Sequence, residues 1–165
     1  MRKIVVIDKS AFQTEPSTCV KDVVGTTFCI LSHASLCHFI IYIPKEAFEK
    51  EWKDAYRGSS ILDIMSGLAK AYISGVLKDC QESTTSCLLA NIFRKRKIVL
   101  RNVGGNVRNL NLKDPDYLYV ELALRLKGES SHVYLITCDG DMERVARREG
   151  IVALDPQELC NQLLR

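Results

Sequence analysis

Short apolar runs of strand length recur along the chain and alternate with segments of helical periodicity. The runs predicted as strands cover residues 3–8, 38–43, 98–100, 132–138 and 151–154. Strands this apolar are typically buried on both faces, as in a parallel sheet. Because helices are predicted between most of them, the pattern favours an α/β fold. We expect a three-layer α/β/α sandwich around a central, mostly parallel sheet.

The helical segments indicate one domain, residues 1–165, with a helical insertion at about 58–95. Apolar positions such as Ile61, Met65 and Leu68 recur there at helical spacing. A helix is predicted to begin at Pro44 and to run through Arg57, since proline is tolerated in a first turn. Further helices are predicted from 114, from 140 to 149, and from 155 to 165. Residues 16–34 are ambiguous.

Composition adds that the chain is an ordinary globular one. Hydrophobic residues make up 47% of the 165 positions and charged residues 26%. The longest apolar run is too short to cross a bilayer, and the chain enters a strand without a signal peptide, so we expect a soluble cytoplasmic protein without a membrane partner. Seven cysteines occur without a C-x-x-C pair. This disfavours a disulfide framework or structural zinc, and favours small buried cysteines in a reducing compartment.

A local basic block stands out from the small net charge of +3. Residues 94–113 contain no Asp or Glu. The candidate nucleic-acid-binding residues in it are Arg94, Lys95, Arg96, Lys97, Arg101 and Arg108, and Lys113 ends the block. Such a block is a plausible contact for a phosphate backbone. For residues 94–97, a solvated helix end stabilised by the helix dipole is an equally good interpretation.

Acidic residues follow the two most convincing strands. Asp8 ends the first strand, Asp139 and Asp141 follow the fourth, and Asp116 lies in the first turn of a helix between them. Because ligands bind beyond the carboxyl ends of parallel strands, we expect these carboxylates to converge there. Grouped carboxylates repel one another unless a cation holds them, and hard oxygen ligands suit Mg²⁺ or Mn²⁺. Taken singly, each acid could instead be a helix cap or a dipole partner.

Three motifs resemble those of PIN-domain nucleases and the related NYN nucleases. They read IVVIDKSAF at 4–12, DYLYVELAL at 116–124 and LITCDGDM at 135–142. The resemblance implies an endoribonuclease that uses Mg²⁺ or Mn²⁺ to cleave RNA. It implies catalytic roles for Asp8, Glu49, Asp116 and Asp139, and metal binding by Asp8, Asp116, Asp139 and Asp141. Ser10 and Thr137 would orient carboxylates or water from behind.

The fourth catalytic acid of the family is a glutamate in the helix after strand two. Glu49 fits best by its distance from Pro44, and Glu46 and Glu51 are the alternatives. The helical segment at about 58–95 is longer than a compact PIN toxin requires. The extra length leaves the partner open, and an antitoxin or another protein partner is possible. The resemblance to the family also implies a possible homodimer.

Three other interpretations compete. The first is a PIN-like module without catalytic activity that binds RNA or a protein. The second is a topoisomerase–primase-like fold, in which Asp-Gly-Asp also follows a strand, although that family expects a Glu where Asp8 stands. A phosphoaspartyl fold is the third and the weakest, because no convincing Lys motif lies between the acids. A dinucleotide-binding Rossmann fold is excluded, since the first strand lacks a following G-x-G-x-x-G.

Overall fold

A five-stranded parallel sheet forms the centre of the protein. The structure, a computed structural model, describes residues 3–11, 19–22, 26, 29–30, 33–34, 38–52, 98–130 and 132–163. The strands are β1 (Lys3–Ile7), β2 (Phe39–Pro44), β3 (Ile98–Arg101), β4 (Val133–Ile136) and β5 (Val152–Leu154). They lie in the order β3-β2-β1-β4-β5, and all four neighbouring pairs are parallel. The predicted α/β class with a parallel central sheet is confirmed.

Helical segments connect or follow the strands in the described ranges. They are α1 (Lys45–Ala47), which continues as a π-helical turn over Phe48–Trp52, then α2 (Asp116–Glu129), α3 (Gly140–Arg148) and α4 (Pro156–Leu163). A 3-10 turn, Lys9–Ala11, follows β1. The sequence placed these four segments correctly to within a few residues, although α1 is described only to Trp52.

The two central strands are apolar because both of their faces are covered. Val5, Val6 and Ile7 of β1 and Leu135 and Ile136 of β4 are all buried. Helix α2 packs against β1, β2 and β4. Burial on both faces explains why these strands lack the alternation of apolar and polar residues that marks a sheet with one face in water.

The order of the strands creates a switch point between β1 and β4. From β1 the chain builds outward through β2 to β3 on one side, and later through β4 to β5 on the other. Crossover connections therefore diverge between β1 and β4, which leaves a crevice at the carboxyl ends of these two strands. Asp8 and Thr137 are the residues that immediately follow them.

A disulfide joins Cys19 to Cys138, with their Cα atoms 5.9 Å apart. The expectation of unpaired cysteines is therefore wrong for these two positions, whereas Cys29 and Cys160 are free. The predicted insertion at about 58–95 and the basic residues 94–97 lie outside the described residues. Within the described ranges, no helix has the length and apolar character needed to cross a membrane.

Candidate active site

The side chain of Asp8 is fixed by hydroxyl groups from both sides of the switch point. The parallel register pairs Ile7 with Ile136, and the Asp8 N–H continues the ladder by donating to the Ile136 carbonyl at 2.9 Å. Asp8 therefore stands beside Thr137, whose hydroxyl donates to Asp8 Oδ2 at 2.9 Å. Ser10, in the 3-10 turn, donates to the same oxygen at 2.5 Å. Both hydroxyls thus orient a carboxylate that is only 4% exposed.

Asp139 is the N-cap of α3 and lies at the same edge of the sheet. Its Oδ1 accepts hydrogen bonds from the N–H groups of Asp141 and Met142, at 2.9 and 3.1 Å. These contacts satisfy two of the free N–H groups at the start of the helix. The Asp139 N–H in turn donates to the Thr137 hydroxyl at 3.0 Å. The cap therefore also sets the position of Asp139 relative to Asp8.

Asp116 begins α2, directly after Pro115. The carboxylate is buried, and Lys113 Nζ lies 4.0 Å from its Oδ2. A carboxylate in the first turn of a helix is favoured by the helix dipole. This explains the position of Asp116 in the helix, but the dipole alone does not explain why it faces other acids.

Glu51 is held at the site by a hydrogen bond from Tyr119, which Trp52 holds in turn. The indole N–H of Trp52 donates to the Tyr119 hydroxyl at 2.9 Å, and that hydroxyl donates to Glu51 Oε2 at 2.9 Å. Tyr119 lies one turn after Asp116 on α2, so both residues face the same way. The π-helical turn over Phe48–Trp52 presents Glu51 to this face. Such wide turns occur frequently at functional sites.

These acids line one open cleft of about 340 Å³ at the switch point. Its lining consists of five carboxylates, two lysines, a hydroxyl and a proline: Asp8, Glu51, Asp114, Asp116, Asp139, Lys9, Lys113, Ser10 and Pro115. The acids come from four separate parts of the chain. The cleft therefore carries excess negative charge, and its described lining offers oxygen atoms and no aromatic ring to a ligand.

Burial and mutual repulsion raise the pKa of three of these acids. Desolvation is the main cause in each case. The charge of Asp139 adds to the raised pKa of Asp8, while the hydrogen bonds from Ser10 and Thr137 oppose it. For Asp116, burial together with the charges of Asp8 and Asp139 raises the pKa to about 6. The free carboxylates thus destabilise one another when all are ionised.

A divalent cation of the hard type fits this set of donors. Carboxylate and hydroxyl oxygens around an open, negatively charged cleft are the chemistry that Mg²⁺ or Mn²⁺ selects. Within the part of the chain that the structure describes, however, no three His, Cys, Asp or Glu side chains stand close enough to hold an ion together. Binding therefore requires carboxylates to move inward, or water to complete the shell, as Mg²⁺ commonly allows.

Two acids predicted for the site, Glu49 and Asp141, lie outside the cleft lining, and so does the alternative Glu46. Glu49 is exposed and is not part of the cleft lining, whereas the alternative Glu51 is part of it. Glu46 instead accepts hydrogen bonds from the N–H groups of Val103 and Gly104, and so holds the loop after β3. Asp141 is exposed and pairs with Arg144 at 2.6 Å on the surface of α3. It is not part of the cleft lining.

The two described arginines proposed to bind nucleic acid are both engaged in ion pairs. Arg101 contacts Glu129 with a shortest N–O distance of 2.6 Å, and Arg108 Nε lies 3.0 Å from Oε2 of the buried Glu121. Arg94, Lys95, Arg96 and Lys97 lie outside the described residues. The positive charges in the cleft lining itself belong to Lys9 and Lys113.

The sequence did not predict the hydrogen bonds that link Trp52, Tyr119 and Glu51. It also did not predict that Lys9 and Asp114 line the cleft. A signal for the hydrogen bonds of Tyr119 was present, because Tyr119 follows Asp116 at a spacing of three residues in a helix. No pattern in the sequence marks the π-helical turn. Its effect on which glutamate faces the cleft is visible only in the structure.

The comparison with models of known protein families gives no match to this chain. A search among curated proteins also finds no match. What the protein does must therefore be inferred from the chemistry of the cleft.

Proposed function

We propose that this protein is a metal-dependent endoribonuclease that hydrolyses RNA phosphodiester bonds in the cleft. One observation carries the proposal: carboxylates from four separate chain segments line a single cleft at the switch point of a parallel sheet. The Ser10 and Thr137 hydroxyls behind Asp8 give it the support that metal-binding carboxylates commonly have. The resemblance of three motifs to PIN-domain nucleases supports RNA as the substrate.

Asp8, Glu51, Asp116 and Asp139 are the proposed holders of Mg²⁺ or Mn²⁺. When bound, such an ion supplies positive charge that makes water a stronger nucleophile and stabilises the charge developing on the phosphate. The protein's own part is to orient the donors. Ser10 and Thr137 fix Asp8, the helix cap fixes Asp139, and Tyr119 fixes Glu51.

Lys9 and Lys113 are the proposed contacts for phosphates flanking the scissile bond. Both line the cleft, and the side chain of Lys113 is 80% exposed. Phosphate contacts position a nucleic acid without reading its sequence. Since the described lining of the cleft contains no aromatic ring, we expect cleavage there to depend little on base identity.

The finer architecture belongs to the same proposal. We propose that helices cover both faces of the sheet as a three-layer α/β/α sandwich of PIN type. Two hydrogen bonds to α4 support a second helical layer. The hydroxyl of Thr26 donates to Gln157, and the Thr26 carbonyl accepts from the Cys160 thiol. Helices α2 and α3 contact each other elsewhere.

The test is cleavage of mixed RNA by the purified protein, with Mn²⁺ or with chelator, in wild type and in Asp8→Asn. The amide oxygen of this variant can still accept the Ser10 and Thr137 hydroxyls, so we expect the fold to persist and cleavage to be lost. Glu129→Gln is the matched control, because Glu129 is exposed, pairs with Arg101 and lies outside the cleft lining. Full activity of Asp8→Asn, or equal cleavage in chelator, rules the proposal out.

A second candidate is an RNA- or protein-binding module without catalytic activity. It is favoured by the spread of the carboxylates, since no three of those described stand in a chelating group. Mn²⁺ binding that depends on Asp8, without turnover of RNA or single-stranded DNA, distinguishes this module from the nuclease.

A further inference from the structure

The Cys19–Cys138 disulfide lies in the chain segment that builds the cleft. Cys138 stands between Thr137, which donates to Asp8, and Asp139, which lines the cleft. Cys19 comes from a part of the chain 119 positions away. The bond therefore fastens the end of β4 to a segment outside the sheet.

Hydrogen bonds carry this restraint directly to the acidic residues. The Cys138 N–H donates to Ser10 Oγ at 2.9 Å, and Ser10 donates to Asp8. The next N–H, that of Asp139, donates to the Thr137 hydroxyl. A shift of Cys138 therefore moves partners of both Asp8 and Asp139.

In the disulfide-bonded form, the described acids share one cleft but do not stand close enough together to chelate an ion. Asp8, Asp116 and Asp139 line the same cleft. In the described residues they still form no group close enough to hold an ion. An inward movement of Asp139 would carry the neighbouring Cys138 with it, and the disulfide to Cys19 restrains Cys138.

We propose that the Cys19–Cys138 pair is a redox-modification site, and that its reduction by a dithiol releases the cleft to bind metal. Both cysteines are half-buried residues and not part of the buried core, which leaves the pair within reach of a small dithiol. The consequence for RNA cleavage rests on the proposed function. The restraint that the disulfide places on Cys138 and Asp139 does not depend on the proposed function.

The chemistry is thiol–disulfide exchange. A thiolate of the dithiol attacks one sulfur of the pair, forms a mixed disulfide and expels the other cysteine as a thiolate. The second thiol of the reductant then attacks the mixed disulfide, releases the remaining cysteine and closes a disulfide within the reductant. Two electrons and two protons pass to the protein, which leaves Cys19 and Cys138 as thiols.

The experiment compares air-oxidised protein, protein reduced with dithiothreitol, and the Cys19→Ser variant. Peptide mapping after alkylation first establishes whether Cys19 and Cys138 are paired. Amide hydrogen exchange at Cys138 and Asp139 then reports the cleft without reference to catalysis, and a Mn²⁺ titration reports its affinity. Cys29→Ser is the matched control, since Cys29 is a free cysteine outside the cleft lining.

We expect faster exchange at both amides after reduction, and Mn²⁺ affinity higher on the order of 10-fold, the scale of changes behind metal ligands. Cys19→Ser should behave like the reduced protein, and Cys29→Ser should respond to reduction as wild type does. If Cys19→Ser does not fold, the comparison of oxidised with reduced wild type gives the same answer.

Three results overturn the inference: alkylation of both cysteines in air-oxidised protein, amide exchange that is unchanged on reduction, or Mn²⁺ affinity that is equal or higher in the oxidised form. Absence of RNA cleavage and of Mn²⁺ binding in both forms instead refutes the proposed function. That result also overturns the claim that reduction opens the cleft to metal, and the exchange rates then report only whether the disulfide restrains Cys138 and Asp139.

Discussion

Replacing Asp116 by Asn should stabilise the metal-free protein at neutral pH and not in acid. Burial, followed by the charges of Asp8 and Asp139, raises the pKa of Asp116 from 3.8 to about 6. A carboxyl with a raised pKa in the folded state prefers to keep its proton there. Between pH 3.8 and about 6 the unfolded chain loses this proton while the folded state keeps it, so the folded state becomes progressively less stable relative to the unfolded chain.

The size of the effect follows from the shift. One pKa unit corresponds to about 1.4 kcal/mol, so the full shift would amount to about 3 kcal/mol. Because the cleft is open to water, screening reduces this figure, and we expect about 1–2 kcal/mol. The amide introduced by Asp116→Asn cannot ionise, so the variant avoids this cost at neutral pH. In acid, where the folded wild type is protonated, the advantage disappears.

Urea unfolding in chelator, at about pH 4 and about pH 7, measures the difference. The unfolding free energy of Asp116→Asn minus that of wild type should be larger at the higher pH by the amount given above. Excess Mn²⁺ should stabilise wild type more than the variant, because the ion binds the folded state.

Asp141→Asn is the control for this experiment. Asp141 is exposed and pairs with Arg144, so its replacement should cost at most about 1 kcal/mol at neutral pH and bring no gain. An Asp116→Asn variant whose relative stability is the same at both pH values would refute the reasoning, and so would one that loses stability as the pH rises.

The remaining predictions concern the cleft and its support. Glu51→Gln should lower RNA cleavage by roughly 10–100-fold, while Glu49→Gln should leave it unchanged. Equal effects of the two variants would contradict the choice of Glu51 over Glu49. Lys113→Gln should raise KM more than it lowers kcat and should reduce the slope of log affinity against log salt by about 0.7 for a single strand. Tyr119→Phe should lower the unfolding free energy by about 1–3 kcal/mol in urea titrations, because buried Trp52 and Glu51 both lose a hydrogen bond.

The sequence predicted the sheet well because burial on both faces leaves an unmistakable mark. β1 and β4 are mostly apolar, and most of their residues are buried. The positions of Asp8 and Asp139 in the cleft lining followed from the same logic, since acidic residues that follow such strands within a few positions lie near the carboxyl ends of the strands. Asp116 followed from its place at the start of a helix.

Features that depend on contacts across the fold were beyond a reading along the chain. The helical period that the sequence implies after Pro44 is that of an α-helix, but the chain widens to a π-helical turn at Phe48–Trp52. With this wider turn, Glu51 lines the cleft and Glu49 does not. The pairing of Cys19 with Cys138 also depends on the path of a segment that has no clear pattern of its own.

The parallel pairing of β1 with β4 has a consequence for protein synthesis. β1 begins at Lys3, whereas the strand beside it on the cleft side begins at Val133 and is therefore made much later. A ribosome that has not yet released the residues around Asp139 carries a polypeptide without this cleft. The proposed nuclease would therefore have no assembled cleft with which to cleave its own messenger until β4 and Asp139 have left the ribosome.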